Sequence, residues 1–231
     1  MIDAPYLYSG LLAFGLALVA APAGAQDTGV VFVGVTVGEA PGAFAGANVA
    51  LPGAELGRGP AVRAVVSRSD YEYEIGPTRI DGRSTAVTLQ GVYQFSGEWG
   101  YANLAAGALY QDTRLRPDDP GNPNRGDEWD GVVSVDGLAD AGRWRIGGFA
   151  SYRIGLEEHY VQGEVSHVVG RAARIGAEVV DQGDPNYERR LYGGLLVVAP
   201  ALKWQVRLSG GALRQEGQNG GYATLSVIRT F

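Results

Sequence analysis

Segments of about ten residues, in which apolar and polar side chains alternate one for one, recur along this 231-residue chain and restrict its fold more than any other feature. A period of two is the signature of a strand with two unlike faces. Twelve such segments are legible, at about 29–38, 43–51, 60–72, 84–95, 99–112, 127–137, 142–154, 158–169, 172–182, 187–198, 202–214 and 220–231. The pattern is clearest where Trp144, Ile146, Gly148, Ala150, Tyr152 and Ile154 alternate with Arg143, Arg145, Gly147, Phe149, Ser151 and Arg153. It returns where Trp204, Val206, Leu208, Gly210 and Ala212 alternate with Lys203, Gln205, Arg207 and Ser209. A soluble sandwich and a membrane barrel both satisfy alternation, because each has one apolar and one polar face.

The connections separate the two. If the first strand starts in the periplasm, the candidate outer loops include DYEYEIGPTRIDGR and TRLRPDDPGNPNRG, and the inner turns include SGEW, VGRA and PALK. Long outer loops and short inner turns are the asymmetry of an outer-membrane barrel. Aromatic placement agrees. Trp144 and Tyr152 share a face eight residues apart, which is ~26 Å along a strand and roughly 20 Å along the membrane normal after tilting. Phe231 closes a strand whose Ala223, Leu225 and Val227 share its face, so its ring is expected at the lipid boundary, with Arg229 an unusual neighbour there. Backbone groups in hydrocarbon must all be paired, so such strands are expected to close on one another. The fold class is thus an all-β, antiparallel outer-membrane β-barrel of about twelve strands.

Residues 1–25 end in an apolar run from Leu11 to Ala21 and the small-residue site Ala23-Gly24-Ala25. This is the layout of a signal peptide, although its first residues carry Asp3 and no Lys or Arg. Residues 26–231 are then expected to form a single barrel domain. There is no cysteine, which removes disulfides and thiolate-bound zinc from consideration. Nineteen basic and 25 acidic residues give a net charge of −6, which argues against a nucleic-acid partner.

Three groups of residues could carry chemistry. The stretch RPDDPGNPNRGDEWDG is dense in Asp118, Asp119, Asn122, Asn124, Asp127, Glu128 and Asp130, but its spacing does not match a calcium loop and prolines interrupt it. A solvated outer loop is the simpler reading, and no metal or cofactor is expected. His159 and His167 share the apolar face of Val161, Gly163 and Val165. Without an outward serine at matching height they read as interface residues, which leaves a lipid-active enzyme as a remote alternative. The inward charges form the third group: Arg143, Arg145 and Arg153, then Glu158 and Glu164, Arg174 and Glu178, and Lys203 and Arg207. Antiparallel pairing brings Arg153 near Glu158 and Arg145 near Glu164. The set reads either as a salt-bridge ladder that stiffens the interior or as a lining that guides a polar solute.

YQDTRLRPDDPGNPNRG, VALPGAELGRGPAVRA and GAEVVDQGDPNYERRLYGG together resemble the cellulose biosynthesis protein BcsS family. The most specific piece is Thr113, Leu115, Pro117, Asp118, Asp119 and Pro120, reinforced by QGDPNY at 182–187. The resemblance implies a bacterial cell-envelope protein that accompanies production of cellulose or a related exopolysaccharide, and it implies no catalytic residues. The expected partners are outer-membrane lipid and cellulose, another glucan or other components of cellulose secretion. A passive outer-membrane channel for small polar solutes is the alternative. If a glucan is met, the expected contacts are at 113–131 and 183–190, with Asp118 and Asp119 as acceptors and Trp129, Tyr187, Tyr71 and Tyr73 as stacking faces.

Overall fold

The computed structural model describes residues 27–39, 41–122, 124–185, 187–215 and 218–231. The expected signal peptide at 1–25 lies outside the described residues. Twelve strands follow in order: β1 (Gly29–Gly38), β2 (Gly42–Ala50), β3 (Gly59–Ile75), β4 (Thr78–Gly97), β5 (Gly100–Arg116), β6 (Gly126–Ala141), β7 (Trp144–Arg153), β8 (Glu158–Val168), β9 (Ala173–Asp184), β10 (Tyr187–Ala201), β11 (Trp204–Gln215) and β12 (Gln218–Thr230). Each pairs antiparallel with its neighbours in sequence, and β1 pairs with β12 to close the barrel. All twelve expected segments are present.

The burial pattern is that of a soluble protein turned inside out. Leu208 and Leu225 face outward at 48% and 45% exposure, while their neighbours Ser209 and Ser226 are buried at 3% and 7%. Val33, Val35, Val87, Leu89, Leu104, Val133, Ile146, Val161, Ile175 and Val179 are exposed in the same way, whereas Asn48, Gln90, Gln94, Asn103 and Ser134 are buried. Water would penalise so large an apolar surface; hydrocarbon requires it. This inside-out pattern on a closed antiparallel sheet is the architecture of an outer-membrane β-barrel.

Aromatic rings mark both edges of the apolar band. Near the termini these are Phe95, Trp144, Trp204 and Phe231; towards the other end they are Tyr110, Trp129, Tyr152 and Tyr192. Phe231 seals the seam. Its backbone N–H donates to Gly29 at 2.9 Å, and its carbonyl accepts from Thr28 and Gly29 at 2.7 and 3.1 Å. Its ring comes close to Gly29, where a Cβ would stand 2.5 Å from the ring's Cζ. Arg229 is at home beside it, because its guanidinium sits 5.1 Å from the centre of the Trp204 ring.

The expected loop asymmetry takes a different form. DYEYEIGPTRIDGR is strand rather than loop, and β3 and β4 run through it to a turn of two residues, 76–77. At the termini end, by contrast, the connection 51–58 has eight residues. The asymmetry lies in the strands: β3, β4, β5 and β6 have 17, 20, 17 and 16 residues, against 10 and 11 in β7 and β8. About 9–11 residues suffice to cross a bilayer. The excess stands above the membrane as two projecting hairpins.

Candidate functional site: the mouth and the charged interior

The inward positions of β7–β11 hold a network of ions. Arg153 donates from Nη1 to Glu158 at 2.6 Å and to Gln111 at 2.8 Å, and its Nε lies 3.6 Å from Asp130. Asp130 is held in turn by the backbone N–H groups of Gly155 and Leu156. Arg207 donates to Glu164 at 3.1 Å and also to Glu178, which accepts from Tyr222 at 2.7 Å and from Gln162 at 3.0 Å.

Three of the expected inward charges go elsewhere, among them Lys203, which lies in the turn before β11 and pairs with Asp27 at 2.6 Å. Arg145 makes a two-pronged pair with Asp140, at 2.8 Å for each bond, and not with Glu164. The register explains this, since Arg145 stands opposite Ser166 on β8 and opposite Asp140 on β6. Arg143 lies in the turn before β7 and donates to the Val168 carbonyl at 3.1 Å, so it belongs to the rim and not to the interior.

The bridges of Arg207 to Glu164 and Glu178 were not foreseen, and neither was a pair outside the expected set: Arg63 donates to Asp136 at 2.6 Å, and Asn103 donates to the same carboxylate at 2.7 Å. Arg63 and Asp136 lie on β3 and β6, three strands apart. Their inward parity was readable, but their meeting depends on the curvature of the wall. Apolar clusters fill the spaces between the ions. Val180, Leu191, Leu213 and Tyr222 pack together with Tyr160, and Ala86, Leu109 and Val132 do so on the opposite wall. These apolar side chains pack along the inner wall between the ion pairs.

At the projecting end, Tyr71 and Tyr73 lie on the inner face of the β3–β4 hairpin with ring centres 6.2 Å apart and planes 20° from parallel. Tyr71 can lie flat because the residue opposite it is Gly82, where a Cβ would come within 2.4 Å of the ring. The loop 117–125 rests on this hairpin. The Tyr73 hydroxyl donates to Asp119 at 2.6 Å and accepts from Asn122 at 2.9 Å. Arg125 clamps Asp118 through two bonds of 2.5 and 2.8 Å. Asp118 holds the Arg125 guanidinium above its usual pKa. Burial, with the Tyr73 ring and Asp184 nearby, pushes the Tyr71 phenol up to about 12.

The expected contact residues therefore part company. Asp118 and Asp119 are engaged in holding their own loop. Trp129 is 74% exposed on the outer wall, its ring 5.2 Å from that of Tyr110, at the membrane boundary and not in the loop. Glu128 and Asp130, the residues on either side of Trp129 in β6, face inward. Tyr187 faces inward at the start of β10 with the Arg189 guanidinium 5.8 Å from its ring centre. On β6 and β7 at the same end of the barrel, Glu128 Oε2 and the Nε and Nη2 of Arg153 are buried without hydrogen-bond partners among the described residues.

Each outward histidine has a neighbour of its own. His159 lies 3.3 Å from Asp181, and the His167 ring meets that of Trp144 at 4.7 Å. Among the described residues, no group of three His, Cys, Asp or Glu side chains is placed to hold a metal ion.

Comparison with known proteins places this geometry. The family model for the cellulose biosynthesis protein BcsS matches residues 30–231. No curated protein sequence matches the chain. Among solved structures, the chain is similar to the CymD monoaromatic hydrocarbon channel at 10% identity, with a TM-score of 0.56 and 90% of this chain and 89% of that one covered. It is similar to the translocator domain of the autotransporter NalP from Neisseria meningitidis at 10% identity, with a TM-score of 0.54 and 90% of each chain covered. A KdgM porin in complex with disordered oligogalacturonate matches at 10% identity and a TM-score of 0.52, covering 87% of this chain and 99% of that one. At these identities the likeness is one of fold.

Proposed function

The chain belongs to the cellulose biosynthesis protein BcsS family, and from that premise we propose that it is an accessory of cellulose or exopolysaccharide production that meets the glucan at its projecting mouth. The observation that carries this reading is the pair of near-parallel rings of Tyr71 and Tyr73 on the inner face of the β3–β4 hairpin. Hexose rings in a glucan have apolar faces that stack on aromatic rings, and their hydroxyls both donate and accept. At the same end of the barrel, on β6 and β7, Glu128 Oε2 and Arg153 Nη2 are an acceptor and a donor of that kind without hydrogen-bond partners among the described residues. A neutral polymer needs such a mixed lining and gains little from charge steering.

The rival reading is a passive channel for small polar solutes. Filling of the interior by Tyr160, Tyr222, Leu191, Leu213 and the Arg207 bridges weighs against it. The glucan reading assigns no catalytic step to any residue.

The test is the double variant Tyr71→Ala/Tyr73→Ala, assayed for retention on cellulose as purified barrel and for surface cellulose in cells that carry it. Retention and cellulose output should both fall, while the barrel still migrates differently before and after boiling. Unchanged retention and output in a folded double variant would remove the tyrosines from the reading. Wild-type protein that conducts ions steadily in planar bilayers would favour the channel instead.

A further inference from the structure

The other end of the interior holds a cation that the fold leaves incompletely paired. Arg174 faces inward at the base of β9 with its side chain 19% exposed, and its Nη1 is buried without a partner among the described residues. Its nearest carboxylate is Asp140, 3.5 Å from Nη2. Both oxygens of Asp140 are already taken by Arg145, through Nε and Nη2 at 2.8 Å each. Two guanidinium groups therefore share one carboxylate, and only one of them is hydrogen-bonded to it.

Among the described residues, nothing on the surrounding wall corrects the imbalance. Glu164 and Glu178, the next inward carboxylates on β8 and β9, are bridged by Arg207. At the rim, Arg143 donates to the Val168 carbonyl, Lys203 pairs with Asp27 at 2.6 Å, and Arg171 adds a further positive charge in the turn before β9. A guanidinium withdrawn from water with an unfilled N–H is costly, and the group that fits its planar fork best is an oxyanion.

We propose that Arg174 and Arg145 form an oxyanion-binding site, open towards the termini end of the barrel, that takes a carboxylate or phosphate group. The site is independent of the glucan reading, since it lies at the opposite end of the interior. Asp140 orients Arg145 and limits the affinity, because it competes with any incoming anion for both guanidinium groups.

The test uses the folded full-length barrel in detergent, titrated calorimetrically with inorganic phosphate and separately with acetate at constant ionic strength. At least one anion should bind saturably with one-to-one stoichiometry, and which one does so identifies the oxyanion as phosphate or carboxylate. Arg174→Gln should weaken that binding at least tenfold, whereas Arg114→Gln, on the outer wall beside Asp112, should leave it unchanged. Asp140→Asn should tighten it, which provides a second reading should the Arg174 variant fail to fold. Absence of saturable binding of either anion by the wild-type barrel, or equal affinity in folded Arg174→Gln, would overturn the proposal.

Discussion

Tyr73 and Asp119, 46 residues apart in sequence, are joined by a hydrogen bond of 2.6 Å that pins the loop 117–125 to the β3–β4 hairpin. Asp119 also accepts from the Gly121 N–H at 3.0 Å, so one carboxylate both shapes the loop and docks it. Tyr73→Phe removes the docking bonds to Asp119 and Asn122 and leaves the loop's own turns intact. The barrel should stay folded, while limited proteolysis between residues 117 and 125 should become several-fold faster. A net bond of this type is worth about 1 kcal/mol at a partly exposed position, which corresponds to roughly a fivefold change in opening. A cleavage rate equal to that of the wild type would show that the loop is held by something else.

The second prediction concerns depth in the membrane. Leu208 faces lipid, so Leu208→Arg places a charge in hydrocarbon at about 2–4 kcal/mol and should lower the folded fraction in detergent or lipid. Parity alone suggests that Ser209→Arg would be mild, since the position is inward. The structure changes that expectation: Ser209 is buried and accepts from Arg207 at 3.2 Å, so a second guanidinium would crowd the first. Both arginine variants should fold poorly, and Ser209→Ala should fold nearly as well as wild type. Normal folding yields for Ser209→Arg would indicate a roomier interior than the packing implies.

Much of this architecture was legible in the residues, and the reason is local. Lipid and lumen impose opposite demands on successive residues, so Trp144, Ile146 and Tyr152 declare their face without reference to the rest of the fold. What depended on distance was not legible. Arg63 meets Asp136, and Arg207 meets Glu164, across intervening strands that no register between neighbours predicts. DYEYEIGPTRIDGR looked like a loop because it is polar on both faces, yet Arg83 pairs with Asp70 at 2.7 Å and Arg79 pairs with Glu72 across the two strands. Ion pairs zip a hairpin where there is no lipid to select an apolar face. Likewise Trp129 sits beside Asp130 in sequence but on the other side of the wall, a separation that follows from the period of two once the strand is known to begin at Gly126.

The interior bridge yields a third prediction, with a sign that depends on which partner is removed. Converting Glu164 and Glu178 to Gln together leaves the Arg207 guanidinium buried without a counter-charge, and breaking a buried pair from one side costs about 3–5 kcal/mol. The temperature at which the barrel loses its compact gel migration should fall clearly. Adding Arg207→Met to those two changes removes the orphaned charge and should restore most of the loss. A triple variant no more stable than the double would mean that the bridge contributes through geometry rather than charge.

The last prediction isolates the stacking platform from the stability of the barrel. The Tyr71 ring lies over Gly82 at a distance that leaves no room for a methyl group, since a Cβ there would come within 2.4 Å of the ring. Gly82→Ala is compatible with an extended strand, and the obstructing atoms belong to the end of a movable side chain rather than to backbone. The ring should therefore swing away from β4 and lose its near-parallel relation to Tyr73, while the ladder from Tyr71–Gly82 to Ile75–Thr78 stays paired. Retention on cellulose should fall towards that of Tyr71→Ala, with unchanged heat-dependent migration and unchanged protease resistance of the loop 117–125. Gly76→Ala in the turn of the same hairpin serves as the control, because nothing lies near its side-chain position; its positive φ of 58° makes any loss one of local strain and not of stacking. If Gly82→Ala kept full retention while Tyr71→Ala lost it, the phenol would act by hydrogen bonding from a mobile ring, and the flat platform would not be the contact surface.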